Sequence, residues 1–206
     1  MKTLTLKIDG KEIEAEEDMT ILEAAEKLGI QIPTLCHHKK LEPYGACRIC
    51  SVEIETRGKS RIVAACCYPV KNDLNVTTRS PKIDKIRKTI LELAAVTAGE
   101  DAMGEMRKLA SEYDADLSHL RSKTPIEPTK CILCGLCVRR CIEATWDSVI
   151  GFVGRGPKRQ ITLYPEKASI CTVCDYCHDV CPTGRITSTG PDPPFPQIDD
   201  ILAGRE

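Results

Sequence analysis

Apolar and polar positions alternate at the start of the chain and then change to a helical period. The alternating apolar residues are Leu4, Leu6 and Ile8. This period of two predicts a half-buried strand, and Asp9-Gly10 predicts a hairpin turn into a second strand. Residues 20–23 have the sequence of a capping box with Thr20 as the N-cap. They predict a helix that ends at Gly29.

Two further strands are predicted after this helix, at residues 50–55 and 61–65. Residues 1–80 then contain two hairpins around one helix. This arrangement predicts a β-grasp domain and places the chain in the α+β class.

Residues 81–124 are predicted to be helical. Apolar residues recur at helical spacing between Ile83 and Leu93 and again within residues 101–113. The second stretch carries an apolar stripe that we interpret as ordinary core, formed by Met103, Met106, Leu109 and Ala110. A third unit covers residues 125–190, and the Pro-rich residues 191–206 are predicted to be an extended tail.

Charge and hydropathy exclude several classes of function. The formal net charge is −1, which gives no indication of a nucleic-acid or membrane-surface partner. No apolar run has the length of a membrane span. The first ten residues lack the basic start and continuous apolar core of a signal peptide. We therefore expect a cytoplasmic protein.

The chain has thirteen cysteines, and this count is the strongest indication of function in its composition. A secreted disulfide scaffold is normally shorter and has paired cysteines. In a reducing cytosol, clustered Cys-x-x-Cys sequences instead indicate metal or redox chemistry.

Eight of the cysteines lie in the third unit, in two nearly identical runs. The runs are Cys131-x2-Cys134-x2-Cys137-x3-Cys141 and Cys171-x2-Cys174-x2-Cys177-x3-Cys181. In this bacterial ferredoxin spacing, three cysteines wrap one [4Fe–4S] cluster and the fourth ligates the other cluster. We therefore predict a two-cluster ferredoxin domain over residues 125–190. One cluster is assigned to Cys131, Cys134, Cys137 and Cys181, and the other to Cys171, Cys174, Cys177 and Cys141.

Two structural zinc sites are the alternative for these runs. Tetrathiolate zinc usually takes its ligands as two separated Cys-x-x-Cys pairs. Triplets with a fourth cysteine three residues later favour clusters instead. Ile142 stands where proline follows the fourth cysteine of the pattern, but the internal repeat outweighs this departure.

The remaining five cysteines lie in the N-terminal domain. They are Cys36, Cys47, Cys50, Cys66 and Cys67. The spacing C-x10-C-x2-C-x15-C is similar to the plant-type ferredoxin pattern with a longer first gap, and predicts one [2Fe–2S] cluster. The small-residue turn at residues 45–50 can aim N–H groups at the cluster and raise its potential. Adjacent side chains on a strand point to opposite faces, so only one of Cys66 and Cys67 should reach the cluster and the other should be a small buried residue.

Other candidate sites are weaker. His37 and His38 follow a predicted ligand, but the available cysteines make a histidine-ligated cluster unnecessary. Residues 151–156 are Gly-rich but lack the strand–turn–helix context of a dinucleotide fingerprint. We identify no Ser-His-Asp set and no acid–base pair, so the chain is predicted to have no substrate site of its own.

The cysteine motifs together resemble a known family over almost the whole chain. The motifs are Tyr44-Gly-Ala-Cys-Arg-Ile-Cys50, Arg61-Ile-Val-Ala-Ala-Cys66, Lys130-Cys-Ile-Leu-Cys-Gly-Leu-Cys137 and Val180-Cys-Pro-Thr-Gly184. The chain resembles the N-terminal region of the large iron–sulfur subunit of respiratory complex I. It is more similar to the diaphorase iron–sulfur subunit of NAD-reducing [NiFe] hydrogenases. It is also similar to the N-terminal parts of NAD-linked formate dehydrogenases and multimeric [FeFe] hydrogenases.

The resemblance implies both ligands and partners. It makes Cys66 the fourth [2Fe–2S] ligand, and it implies an electron-transfer subunit of an NAD(P)-linked oxidoreductase. The implied partners are a flavin-containing NADH-oxidising subunit, a thioredoxin-like [2Fe–2S] subunit, and a hydrogenase, dehydrogenase or reductase module. The family usually has one more [4Fe–4S] site, with one His and three Cys ligands. The matching residues 91–120 contain no cysteine, so we expect the helices here without that cluster.

Two other functions stay open on the sequence. A free-standing polyferredoxin would shuttle electrons by diffusion, although such carriers are usually strongly acidic and this chain is nearly neutral. A zinc-stabilised scaffold would have no redox role.

Overall fold

The computed structural model describes residues 3–186 except 102, 147, 172, 173 and 175. Two α+β regions are joined by a pair of helices. The tail predicted for residues 191–206 lies outside the described residues. In the part of the chain that is described, no helix is long and apolar enough to cross a membrane.

Five strands form the N-terminal sheet: β1 (Thr3–Ile8), β2 (Lys11–Glu16), β3 (Ser51–Thr56), β4 (Lys59–Ala64) and β5 (Leu74–Thr77). Their order is β2-β1-β5-β3-β4, with β1 parallel to β5 and the other pairs antiparallel. Both predicted hairpins are present. The sequence does not predict β5, because this four-residue strand pairs only with residues far away along the chain.

The helix α1 (Ile21–Lys27) begins at the predicted capping box. The Glu23 N–H donates to the Thr20 hydroxyl at 3.3 Å, and the Thr20 N–H donates to the Glu23 carboxylate at 2.7 Å. These two bonds satisfy donors that have no partner within the helix. The helix buries Ile21, Ala24 and Ala25 in the core under the sheet.

Two helices follow the sheet along the chain, α2 (Pro81–Ala98) and α3 (Gly104–Glu112). Ser80 caps α2, since its hydroxyl accepts from the Ile83 N–H at 3.3 Å. The buried residues of this pair and of the preceding loop form one apolar cluster, made by Leu35, Ile49, Leu91, Ala95, Ala98, Met106, Leu109 and Tyr113. Apolar packing therefore fills the middle segment.

The prediction that Met103 belongs to this apolar core is wrong. Met103 is 59% exposed and precedes the first residue of α3. Gly104 has φ +66°, and a Cβ at this position would lie 2.9 Å from the Pro182 carbonyl oxygen. Glycine therefore lets the chain turn into α3 while touching the C-terminal region, and Met103 is left outside the packed stripe.

The C-terminal region contains α4 (Leu136–Thr145), β6 (Ile150–Val153), β7 (Gln160–Leu163) and the short α5 (Ala168–Cys171). The strands β6 and β7 pair as an antiparallel hairpin. Its turn includes Gly154, where φ is +76° and a Cβ would lie 2.3 Å from the Lys158 carbonyl oxygen. The Gly-rich residues 151–156 thus form part of a hairpin between the two cysteine runs.

Candidate iron–sulfur sites

The N-terminal cysteines form two sulfur pairs at one end of the sheet. The Cys47 N–H lies 3.4 Å from the Cys36 sulfur, and the Cys50 and Cys66 sulfurs are 3.4 Å apart. Cys36, Cys50 and Cys66 are buried, and Cys47 is half-buried. The structure thus pairs Cys36 with Cys47 and Cys50 with Cys66, the four residues that the sequence assigns to the [2Fe–2S] cluster.

A tight loop carries these cysteines. Gly45 and Arg48 have φ values of +65° and +63°, so the backbone adopts the left-handed conformation on both sides of Cys47. The pKa of Cys36 is lowered to about 6, mainly by a hydrogen bond from the Cys47 side chain and against the effect of burial, with smaller contributions from the N–H groups of Cys47 and Ala46. Thiolate is the form of cysteine that binds metal.

The second pair behaves in the same way. A hydrogen bond from the Cys66 side chain lowers the pKa of Cys50 to about 7, while the same bond raises the pKa of Cys66. Within this pair the proton therefore stays on Cys66, while Cys50 ionises more easily. Four thiolates at this site would therefore need positive charge among them, which an iron–sulfur cluster supplies.

The prediction of a buried second cysteine beside Cys66 is wrong. Cys67 is exposed, and its sulfur lies 3.5 Å from the Cys66 sulfur. The strand β4 ends at Ala64, so both cysteines lie in a turn and the alternation of side chains along a strand does not separate them. A Cβ at Gly45 would lie 2.8 Å from the Cys67 sulfur, which places Cys67 against the same loop.

The eight C-terminal cysteines line two separate cavities. One cavity is lined by Cys131, Cys134, Cys137 and Cys181. The other is lined by Cys141, Cys171, Cys174 and Cys177. Each cavity thus has three cysteines of one run and the last cysteine of the other run, which is the grouping that the sequence predicts.

Burial and mutual repulsion both oppose ionisation in these cavities. Burial is the largest cause, and together with the charges of Cys131 and Cys181 it raises the pKa of Cys134 to about 12. Burial is also the largest cause for Cys177, and with the charges of Cys171, Cys174 and Cys141 it raises the pKa of Cys177 to about 12.

Within the described residues, no three His, Cys, Asp or Glu are placed to hold a single metal ion. A [4Fe–4S] cluster binds each of its cysteines at a different iron.

The loop before α4, residues 130–135, forms part of the cavity lined by Cys131 and Cys134. Lys130, Leu133 and Gly135 have φ values of +56°, +55° and +76°. The Leu133 N–H donates to the Cys131 sulfur at 3.3 Å. The helix α4 then carries Cys137 in its first turn and Cys141 one turn later, about 6 Å further along the axis. One helix thus contributes a cysteine to each cavity.

The segment after Cys181 is held by α3. The Met106 N–H donates to the Pro182 carbonyl at 3.2 Å, and the Met103 N–H donates to the Thr183 carbonyl at 3.3 Å. The Thr183 hydroxyl also donates to the Lys130 carbonyl at 2.7 Å. Cys181 is therefore fixed beside the loop of Cys131, which is distant in sequence.

The three cysteine groups lie next to one another. Cys36 packs in the same buried cluster as Cys134, Cys137 and Cys177. The charge of Cys36 raises the pKa of Cys134, and that of Cys177 raises the pKa of Cys137. The group of Cys131 thus adjoins both Cys36 and the group of Cys141.

Arg87 is a buried charged residue that the sequence does not single out. Its guanidinium donates to the carbonyls of Ile49, Ser51 and Thr78 at 3.0 to 3.2 Å and to the Tyr113 hydroxyl at 2.9 Å. Ile49 and Ser51 flank Cys50, so α2 supports the cysteine loop through this side chain. An arginine on an amphipathic helix gives no sequence signal that separates it from a surface arginine.

Comparisons with known proteins identify the class of protein. Residues 1–81 match the family of 2Fe-2S iron-sulfur cluster binding domains. Residues 123–187 match the ferredoxin-like domain of NADH-quinone oxidoreductase subunit 3. A [2Fe–2S] binding domain and a ferredoxin-like domain of the [4Fe–4S] kind are therefore present in this chain.

Longer curated relatives confirm the resemblance seen in the motifs. The chain is 39% identical over 204 residues to NADPH-Fe(3+) oxidoreductase subunit alpha of Geobacter sulfurreducens, covering 90% of this chain and 24% of the relative. It is 32% identical over 200 residues to the NADH-ubiquinone oxidoreductase 75 kDa subunit of Reclinomonas americana, covering 88% and 29%. It is 33% identical over 217 residues to NADP-reducing hydrogenase subunit HndD of Solidesulfovibrio fructosivorans, covering 90% and 36%.

A solved structure shows the same likeness. The crystal structure of NAD+-reducing [NiFe]-hydrogenase in the H2-reduced state contains a chain that aligns with a TM-score of 0.68 and 28% identity. The alignment covers 80% of this chain and 76% of that chain. By contrast, this chain spans only 24% to 36% of the length of the three curated relatives.

Proposed function

We propose that the chain is an electron-transfer iron–sulfur subunit of a cytoplasmic oxidoreductase complex. It relays electrons between an NAD(P)H- and flavin-binding subunit and another redox module, and it binds no substrate itself. The observation that carries this proposal is the row of three adjoining cysteine groups, which runs through both regions of the molecule.

The donor sets fit one [2Fe–2S] and two [4Fe–4S] clusters. Cys36, Cys47, Cys50 and Cys66 would hold the [2Fe–2S] cluster. Cys131, Cys134, Cys137 and Cys181 would hold one [4Fe–4S] cluster, and Cys171, Cys174, Cys177 and Cys141 the other. Bound clusters would accept and release single electrons. The chain would hold them side by side, with half of the twelve ligands buried from water and the other half partly buried.

Exposed apolar residues around the group of Cys141 support a partner at this end. Thr145, Ile170 and Tyr176 line the same cavity as Cys141. The exposed large apolar residues here are Ile142, Trp146, Ile170 and Tyr176, with Trp146 94% exposed. The occupant we propose is the redox module that exchanges electrons with this site, since only 24% to 36% of each relative is matched and most of its chain lies outside the matched region.

The metal content of the purified protein tests the cofactors. We expect about ten irons and about ten acid-labile sulfides per chain, with EPR signals from one [2Fe–2S] and two [4Fe–4S] clusters after reduction. Near-stoichiometric zinc with little iron would refute the relay and leave a zinc-stabilised scaffold.

Gel filtration of a native extract tests the complex. We expect the chain to elute with flavin and NAD(P)H-oxidising activity, at a mass well above that of one chain, because exposed apolar surface favours a partner. A cluster-loaded chain that elutes alone would instead support a free-standing polyferredoxin.

Cys66 and Cys67 form a matched pair for testing the [2Fe–2S] ligands. We expect Cys66→Ser to remove the [2Fe–2S] EPR signal and Cys67→Ser to leave it, because Cys66 is buried against Cys50 whereas Cys67 is exposed. Both variants are measured by EPR and by iron content. Loss of the signal in Cys67→Ser alone would move the fourth ligand to Cys67.

A further inference from the structure

One side chain of α4 ties the C-terminal region to the loop between Cys36 and Cys47. The Arg139 guanidinium donates to the Glu42 carbonyl at 2.6 Å and to the Cys36 carbonyl at 2.8 Å. It also lies over the Tyr44 ring, 5.0 Å from the ring centroid. All three partners belong to the long loop that distinguishes this [2Fe–2S] motif from the usual spacing.

The position of Arg139 in α4 gives this contact its importance. Arg139 lies midway between Cys137 and Cys141, which line the two C-terminal cavities. A single helical turn therefore carries a cysteine of each C-terminal group and the anchor of the N-terminal loop. The planar guanidinium can donate to two carbonyls at once, which fixes both distance and orientation, and a lysine cannot reproduce this geometry.

The charge of Arg139 also acts on the N-terminal group. Its guanidinium donates to the carbonyl of Cys36, so a positive charge lies beside a predicted cluster ligand. The neighbouring Arg140 differs, because it pairs with Glu143 at 3.5 Å and lies over Tyr176, away from this loop. Reduction adds negative charge to a cluster, so a nearby cation stabilises the reduced form and raises the reduction potential.

We propose that Arg139 is a positioning residue for electron transfer between the [2Fe–2S] site and the site of Cys131, and that its charge raises the [2Fe–2S] reduction potential. This inference rests on the proposed function and on its [2Fe–2S] ligands. Arg139 contacts the backbone that holds the cluster ligand, so its effect is on spacing and charge.

Redox titration followed by EPR tests the charge. At the potential where the wild-type [2Fe–2S] cluster is half reduced, we expect Arg139→Gln to lower the ratio of reduced to oxidised cluster about three- to tenfold. Arg139→Lys keeps the charge and should restore most of this ratio. Arg140→Gln is the matched control, and it should leave the [2Fe–2S] ratio unchanged.

The magnetic interaction between the reduced [2Fe–2S] cluster and the adjacent [4Fe–4S] cluster tests the positioning. We expect both Arg139→Gln and Arg139→Lys to weaken or broaden it, because neither side chain can bridge the Glu42 and Cys36 carbonyls as a fork. Iron content is measured on every variant first.

Two results would overturn the inference. One is an unchanged [2Fe–2S] potential and magnetic interaction in Arg139→Gln with full iron content. The other is loss of the [2Fe–2S] cluster from both Arg139→Gln and Arg139→Lys, since Arg139 would then be needed only for folding. Failure of the proposed function is distinguishable, because the wild-type protein itself would then lack the [2Fe–2S] signal.

Discussion

Replacing Cys181 with serine is expected to remove the cluster of Cys131, Cys134 and Cys137, and to spare the cluster whose triplet Cys181 follows in sequence. Cys181 lines the cavity of the first triplet, and the bonds from α3 and Thr183 hold its segment there. EPR of the reduced variant should lose one [4Fe–4S] signal, and iron should fall by about four per chain.

Cys141→Ser is the matched variant for this experiment. Cys141 lines the cavity of Cys171, Cys174 and Cys177. It follows Cys137 by one turn of α4, so the helix itself carries it from one site to the next. We expect the complementary signal to be lost. If each serine instead removed the cluster of its own triplet, the exchange of fourth ligands between the runs would be refuted.

Replacing Arg87 with methionine is expected to lower the free energy of unfolding by about 3–5 kcal/mol. The change removes a buried guanidinium and leaves the carbonyls of Ile49, Ser51 and Thr78 without this donor. Because bound clusters make unfolding more complex than two states, the thermal midpoint of the loaded protein is the practical measure. A fall of roughly 6–20 °C is expected for a chain of this size.

Arg79→Met is the control for the Arg87 variant. Arg79 also faces Tyr113 and pairs with Asp84 and Glu112, but its side chain is 54% exposed. Exposed ion pairs contribute little to stability, so the expected loss is under about 1 kcal/mol. Equal effects of the two substitutions would show that the buried hydrogen bonds of Arg87 are not what stabilises the loop around Cys50.

Local features of the fold follow directly from the sequence. The capping box before α1 and the alternation in β1 depend on residues within a few positions of each other, and both are present. The Cys-x-x-Cys spacings are equally local, because a short loop must wrap around a small cluster. These features predict the N-terminal fold and the membership of the three cysteine groups.

Features that depend on distant contacts are not visible in the sequence. The strand β5 exists because β1 and β3 pair with it from either side. Met103 is excluded from the core because α3 begins against Pro182. Cys67 is exposed because β4 ends three residues before it, and no local pattern marks that end.

The sequence by itself determined the chemistry of this protein, since the number and spacing of cysteines select iron–sulfur clusters over zinc or disulfides. Only the tertiary structure decided how the cysteine groups are arranged relative to one another. In the structure the group of Cys131 lies beside Cys36. Arg87 and Arg139 donate hydrogen bonds to the backbone of the loop that carries the N-terminal cysteines. The physical reason is that a thiolate's affinity for iron is a property of the residue. The neighbours of a site, by contrast, are set by burial and hydrogen bonds between segments far apart in the chain.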